Sequence, residues 1–210
     1  MQIQVLKRHA LLAASLSFSI ACGAHAAAPT LPALREELLA MKAVDQDVRS
    51  RSANSDFEKW AESDARNLRR LKEIVEKYGW PTYAMVGEDG GRAAWLLAQH
   101  ADRDTDFQRI VLELIEPLVE NGQASRKDYA YLYDRTHYPQ RFGTQGTCVS
   151  REEWRPFEID DLAGLAERRR KADMPPIAEY AAMFKEMCAR SYNPAVRMPK
   201  SHQTIPVPKS

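Results

Sequence analysis

Glycine is sparse in this chain, long apolar runs are scarce, and neither sign of charge dominates. There are nine glycines in 210 residues, and none builds a phosphate-cradling loop between a strand and a helix. The longest apolar run, residues 11–20, is about half of the roughly 20 residues that a membrane-spanning helix needs. Lys plus Arg total 30 and Asp plus Glu 29, for a formal charge of +1. Such a balance creates no general field to gather nucleic acid or an anionic membrane, so nucleic acid is not expected as a partner. The HExxH and CxxC spacings of common zinc and thiol sites are missing, as is the GxSxG serine elbow. No metal and no cofactor is expected.

Cysteine is also scarce, with three in the chain. Lys7 and Arg8, the apolar run, and Ala24-His25-Ala26 form the three parts of a secretory signal. Residues 1–26 are therefore expected to be a signal peptide, cleaved after Ala26 or Ala28. The alternative is a lipid anchor at Cys22, where Ser19-Ile20-Ala21-Cys22 makes a poor lipidation box because Ser19 stands where Leu is expected. Either way the protein is expected to be periplasmic or secreted. Cys148 and Cys188 then remain as a pair in an oxidising compartment. A disulfide closing a loop of about 40 residues is expected, and two buried thiols are the other reading.

The fold class is mainly α. A compact multi-helix domain is expected over residues 31–190, followed by a disordered, proline-rich tail over 191–210. Leu34, Leu38, Met41, Val44 and Val48 give the first helix, 32–49, its apolar face. A capping box at Ser55 and Glu58 opens a second helix ending at Tyr78, where Gly79 and Pro81 stop it. The third is expected over 92–100 after an Asp89-Gly90-Gly91 turn. The fourth starts at Thr105 with Gln108 completing a capping box, bends at Pro117 and stops at Asn121-Gly122. Ser125 caps a fifth, running to Asp134. Residues 136–160 are irregular, with a small β-hairpin expected from pieces at 144–149 and 154–159. Helices resume at 160–171 and 176–189.

Several polar residues break the apolar pattern. Asp64 and Asn67 lie within the seam Phe57, Trp60, Leu71, Ile74 of the second helix, and burying a carboxylate without partners is costly. A structural network satisfies them in one reading, and a rotated helix with Ala61, Ala65 and Leu68 inward removes the problem in another. The remaining reading is a site. His100 shares a face with Ala93, Leu96 and Leu97, and it is the best candidate base by residue type. Arg135 could clamp an anion, while Gly143 would let backbone approach a ligand. The bland counterpart is that Asp134 and Arg135 cap the helix and brace the loop.

These residues also carry a resemblance. Tyr78-Gly79-Trp80-Pro81, Gln99-His100-Ala101-Asp102, Asp134-Arg135 and Gln140-Arg141-Phe142-Gly143-Thr144-Gln145 occur in order. Together they resemble a bacterial domain family of unknown function with a YGWP…QHAD…DR…Q-x-YGTQ signature, spanning about residues 34–182. Phe142 stands in place of its Tyr, and Asp173-Met174 in place of a Gly before Pro175-Pro176. The resemblance implies no activity. It does mark Asp64, Asn67, His100, Asp134, Arg135, Gln140 and Gln145 as candidates for one shared polar pocket. The leading expectation is a hydrolase or transferase with His100 as base and Asp64 or Asp134 orienting it. Asn67, Arg135, Gln140, Thr144 and Gln145 would then hold an anionic or polar substrate. A module binding a small molecule or peptide without chemistry, and a structural envelope protein, are the alternatives.

Overall fold

The computed structural model describes residues 28–51, 57–194 and 203–208. The expected signal peptide, Cys22 and the Ser55 cap lie outside the described residues. The chain is mainly helical with one small antiparallel hairpin, as its sequence pattern predicts. Five helices come first: α1 (Pro32–Arg51), α2 (Phe57–Tyr78), α3 (Tyr83–Gln99), α4 (Thr105–Glu120) and α5 (Arg126–Thr136). Then come β1 (Gly146–Cys148) and β2 (Trp154–Pro156), followed by α6 (Leu165–Lys171), α7 (Ile177–Ala182) and α8 (Lys185–Ser191).

α1 packs along α3, and α4 along α5. Leu38, Leu71, Ile74, Val86, Leu97, Val111 and Leu132 fill the core between them. A second cluster gathers Trp154, Ile159, Leu165, Ile177, Tyr180 and Cys188 around the hairpin. Tyr131 of α5 reaches that second cluster, so α5 is the hinge of the architecture between bundle and hairpin. The Cys148–Cys188 disulfide forms as expected and ties β1 to α8, with a Cα–Cα distance of 5.4 Å.

Several boundaries differ from expectation for physical reasons. The third helix begins at Tyr83, not near Arg92, with Thr82 accepting from the Met85 N–H as its cap. Asp89-Gly90-Gly91 is helical. A Cβ on Gly90 would lie 2.9 Å from Val86 Cβ, and one on Gly91 2.8 Å from the Tyr83 ring, so these glycines serve close packing. The chain breaks instead at Gly87, whose φ of 73° is a conformation that favours glycine. α4 is capped by Asp104, which accepts from Phe107 N–H. Gln108 is buried and donates to the Ala98 and Gln99 carbonyls, so no capping box forms there. The helix expected over 160–171 starts only at Leu165, and the one over 176–189 divides into α7 and α8. Within the supposed disordered tail, residues 203–208 dock against β2. Thr204 bridges Phe157, Ile205 N–H donates to the Pro156 carbonyl, and Ile205 and Val207 pack on the second cluster.

Asp128 fastens α5 to α3. Its carbonyl accepts from Trp95 Nε1 at 2.8 Å, while its carboxylate has Arg92 no closer than 3.9 Å. Burial therefore pushes this carboxyl up to about 6, and Arg92, Lys127 and Ser125 only partly offset it. Between the ordinary carboxylate value of 3.8 and about 6, the folded state binds the proton more tightly than the unfolded one. The stabilisation this gives is complete at low pH and is lost as pH rises through 6. Asp128→Asn is expected to raise stability by about 2–3 kcal/mol at neutral pH, with the gain vanishing near pH 4. Urea midpoints against pH check this, and a variant equally stable or weaker at neutral pH contradicts it.

Candidate functional site

The apolar stripe of α1 does not continue through Val44, which is 49% exposed; it turns to Asp45, which is 1% exposed. Leu34, Leu38, Met41, Asp45 and Arg49 therefore share the inward side. Across from them, α3 ends at His100, whose backbone N–H still bonds to the Leu96 carbonyl. The Asp45 carboxylate meets His100 Nδ1 at 3.0–3.1 Å. It also accepts from the Gln46 amide at 2.8 Å and from Arg49 Nε at 3.3 Å. Burial pushes the Asp45 carboxyl up, but the hydrogen bonds and charge of His100, Gln46 and Arg49 outweigh it and hold the group below its ordinary value.

Arg49 reaches onward from Asp45 to Asp64 on α2. Burial pushes the Asp64 carboxyl above its ordinary value despite Arg49 beside it. Two neighbouring carboxyls are thus driven apart, one kept ionised and one holding its proton more readily. Asp45, Asp64 and His100 bring ligand-type atoms within 4.8 Å of one another, a spacing that a cation could use. The Arg49 guanidinium already spans both carboxylates and supplies the positive charge that such a cation would bring.

His100 and Arg49 open onto a cleft of about 550 Å³ between the bundle and the hairpin region. Of the expected site residues, His100, Arg135, Thr144 and Gln145 line it. Arg135 is engaged by Asp102 in a two-pronged ion pair, Nε to Oδ1 at 2.7 Å and Nη2 to Oδ2 at 2.5 Å, and lies 3.4 Å from Gln145 Oε1. The Gln145 amide donates to Thr144 Oγ1. Trp95, Tyr131, Trp154, Tyr180 and Phe184 supply the aromatic part of its lining.

The other candidates stand apart from this cleft. Asp134 is buried and accepts the backbone N–H groups of Arg141, Phe142 and Thr144. Gln140 is buried too, donating to the Gln145 and Phe157 carbonyls and accepting from Gln145 N–H. Both brace the loop, as the bland reading of Asp134 anticipated, and neither touches His100. Gly143 has φ 69°, but a Cβ there would meet Ile159 Cδ1 at 2.7 Å, so it gives room to a core side chain and not to a ligand. Asn67 lies on the inner face of α2, buried, with its amide nitrogen unpartnered. Sequence reasoning missed Asp45 and Arg49. The available signal was a carboxylate and a cation four residues apart, continuing the α1 stripe from Leu38 and Met41.

The model of a family of unknown function, DUF6624, matches residues 32–191. No curated protein matches the chain, and no solved structure does.

Proposed function

Because the chain belongs to the DUF6624 family, whose function is unknown, we propose a function from the site alone: the cleft is an acid–base active site in which His100 takes a proton from a hydroxyl group, in hydrolysis or group transfer. The observation that carries this is the buried Asp45 carboxylate on His100 Nδ1. An ionised carboxylate there fixes the Nδ1–H tautomer and stabilises the imidazolium formed when Nε2 accepts a proton. The orienting carboxylate is thus Asp45, in the part first given to Asp64 or Asp134. Asp64 helps hold Arg49 beside Asp45, and the His100 imidazolium itself returns the proton to the leaving group. The chemistry is placed outside the cytoplasm, a reading with which the Cys148–Cys188 bridge is compatible. Among the described residues no helix is long and apolar enough to cross a membrane.

Turnover of a panel of ester, amide and glycoside substrates tests the reading. On any substrate that is turned over, His100→Ala is expected to lose at least about 100-fold in kcat. Asp45→Asn is expected to lose activity through the wrong tautomer. A His100→Ala protein as active as the parent ends the proposal.

A further inference from the structure

The cations of the cleft are already spent. Arg49 is committed to Asp45 and Asp64, and Arg135 to Asp102. A phosphate or carboxylate entering here would have to displace a carboxylate that is already bonded, and would gain little. The earlier expectation of an anion clamp at Arg135 therefore loses its basis. What remains for a ligand is a mixture of donors and acceptors of low charge. Gln99, only 7% exposed and part of the cleft wall, has an Oε1 with no hydrogen-bond partner. Gln145 also lines the cleft; its amide donates one hydrogen to Thr144 Oγ1 and has a second to offer. A group that both donates and accepts, a hydroxyl above all, fits such a set.

The aromatic wall adds a shape requirement. Trp154 and Phe184 stack at 4.9 Å, and Tyr180 meets Trp154 edge-on at 5.6 Å. Their polar tips are tied off: Trp95 Nε1 donates to the Asp128 carbonyl and the Tyr180 hydroxyl to the Thr144 carbonyl. Trp154 and Tyr180 are buried behind that surface and hold it in place, so the apolar rings a ligand meets are the half-buried Trp95, Tyr131 and Phe184. A ligand must present one flat apolar face and a rim of hydroxyls. We infer that the cleft binds a neutral saccharide, a sugar ring lying with its C–H face on the aromatic wall and its hydroxyls toward Gln99, Gln145 and His100. This rests on the acid–base reading only for what happens after binding, since one of those hydroxyls, or water, is the proton donor to His100.

The test is a tryptophan-fluorescence titration of the oxidised protein with neutral tetrasaccharides of glucose and of N-acetylglucosamine, with sodium phosphate and citrate as anionic probes. Trp95 and Trp154 in the wall report occupancy. A saturable change with a tetrasaccharide is expected, little altered between about 0.05 and 0.5 M salt, and weakened about tenfold or more by Phe184→Ala. Leu96→Trp, which fills the cleft from α3, should abolish it and guards against misfolding of the first variant. No saturable response to any saccharide, a response only to the anions, or binding untouched by both variants overturns the inference. His100→Ala separates the two claims. Saccharide bound by parent and variant but turned over by neither leaves the ligand class standing and removes the acid–base reading. His100-dependent turnover of a non-saccharide substrate without saccharide binding does the reverse.

Discussion

Asp134→Ala is expected to cost about 4–6 kcal/mol of stability, a large share of the roughly 5–15 kcal/mol that typical domains possess. Its Oδ1 accepts from Arg141 N–H at 2.8 Å and Phe142 N–H at 3.0 Å, and its Oδ2 from Thr144 N–H at 2.8 Å. Truncation takes the partner from all three donors, of which the Thr144 N–H is buried and the other two partly so, each worth about 1–3 kcal/mol. Asp134→Asn separates charge from connectivity. The amide oxygen can keep Arg141 and Phe142, while its NH₂ faces the Thr144 N–H, donor against donor. A smaller loss of about 2 kcal/mol is expected for it. Urea midpoints of the two variants check the order. An Asp134→Ala protein within about 1 kcal/mol of the parent would mean that the loop finds other partners and that Asp134 is not its keystone.

The acid response of this group follows from the same geometry. Burial pushes its carboxyl above the ordinary range, and the three backbone N–H donors only partly offset that. Proton uptake by Asp134 in the folded state therefore adds stability as pH falls through its folded value, so it does not drive acid unfolding. The partners of Asp45 run the other way, since His100, Gln46 and Arg49 hold its carboxyl below its ordinary value. Stability owed to Asp45 is present above the ordinary carboxylate value and is lost as pH falls through the lowered one.

How much of this was legible beforehand depends on what each residue type can mean. Gly79 and Ser125 mark helix ends without ambiguity, because one has a positive φ and the other a side chain that accepts from Asp128 N–H. Asp89-Gly90-Gly91 carries the same letters as a turn, yet the glycines there admit Val86 and Tyr83. Composition alone cannot tell a backbone that bends from one that is closely approached. The α1 stripe was ambiguous for a different reason. After Met41 the apolar pattern can continue through Val44 and Val48 or drift to Asp45 and Arg49, since 3.6 residues per turn do not match a strict heptad. Choosing the valines hid the orienting carboxylate. Asp134 and Gln140 stood out as anomalous and are buried, but a side chain that satisfies a loop's own N–H groups reads in sequence like one that satisfies a ligand. The pocket residues that were recognised, His100, Arg135, Thr144 and Gln145, come from the end of α3, α5 and the loop before β1, and only the packing of hairpin against bundle brings them together.

Removing the Cys148–Cys188 bridge, by Cys148→Ala with Cys188→Ala, is expected to cost about 4 kcal/mol, the chain-entropy value for a closed loop of this length, across a sequence separation of 40. The effect should not be spread evenly. α8 has seven residues, Lys185–Ser191, too few to hold helical form by itself. Its one buried residue is Cys188. With the bridge gone, α8, which carries Met187, and the adjoining Phe184 should open before the bundle does, seen as amide exchange over 185–191 that is much faster than in α1–α5. Because Phe184 and Met187 wall the cleft, ligand-dependent tryptophan fluorescence should weaken at denaturant concentrations where bundle helicity is still intact. Equal urea midpoints for bridged and unbridged protein would show the bridge to be incidental. A single transition in which cleft and bundle fail together would show that α8 is held by packing of Trp154 and Phe184, with the disulfide adding only to the whole.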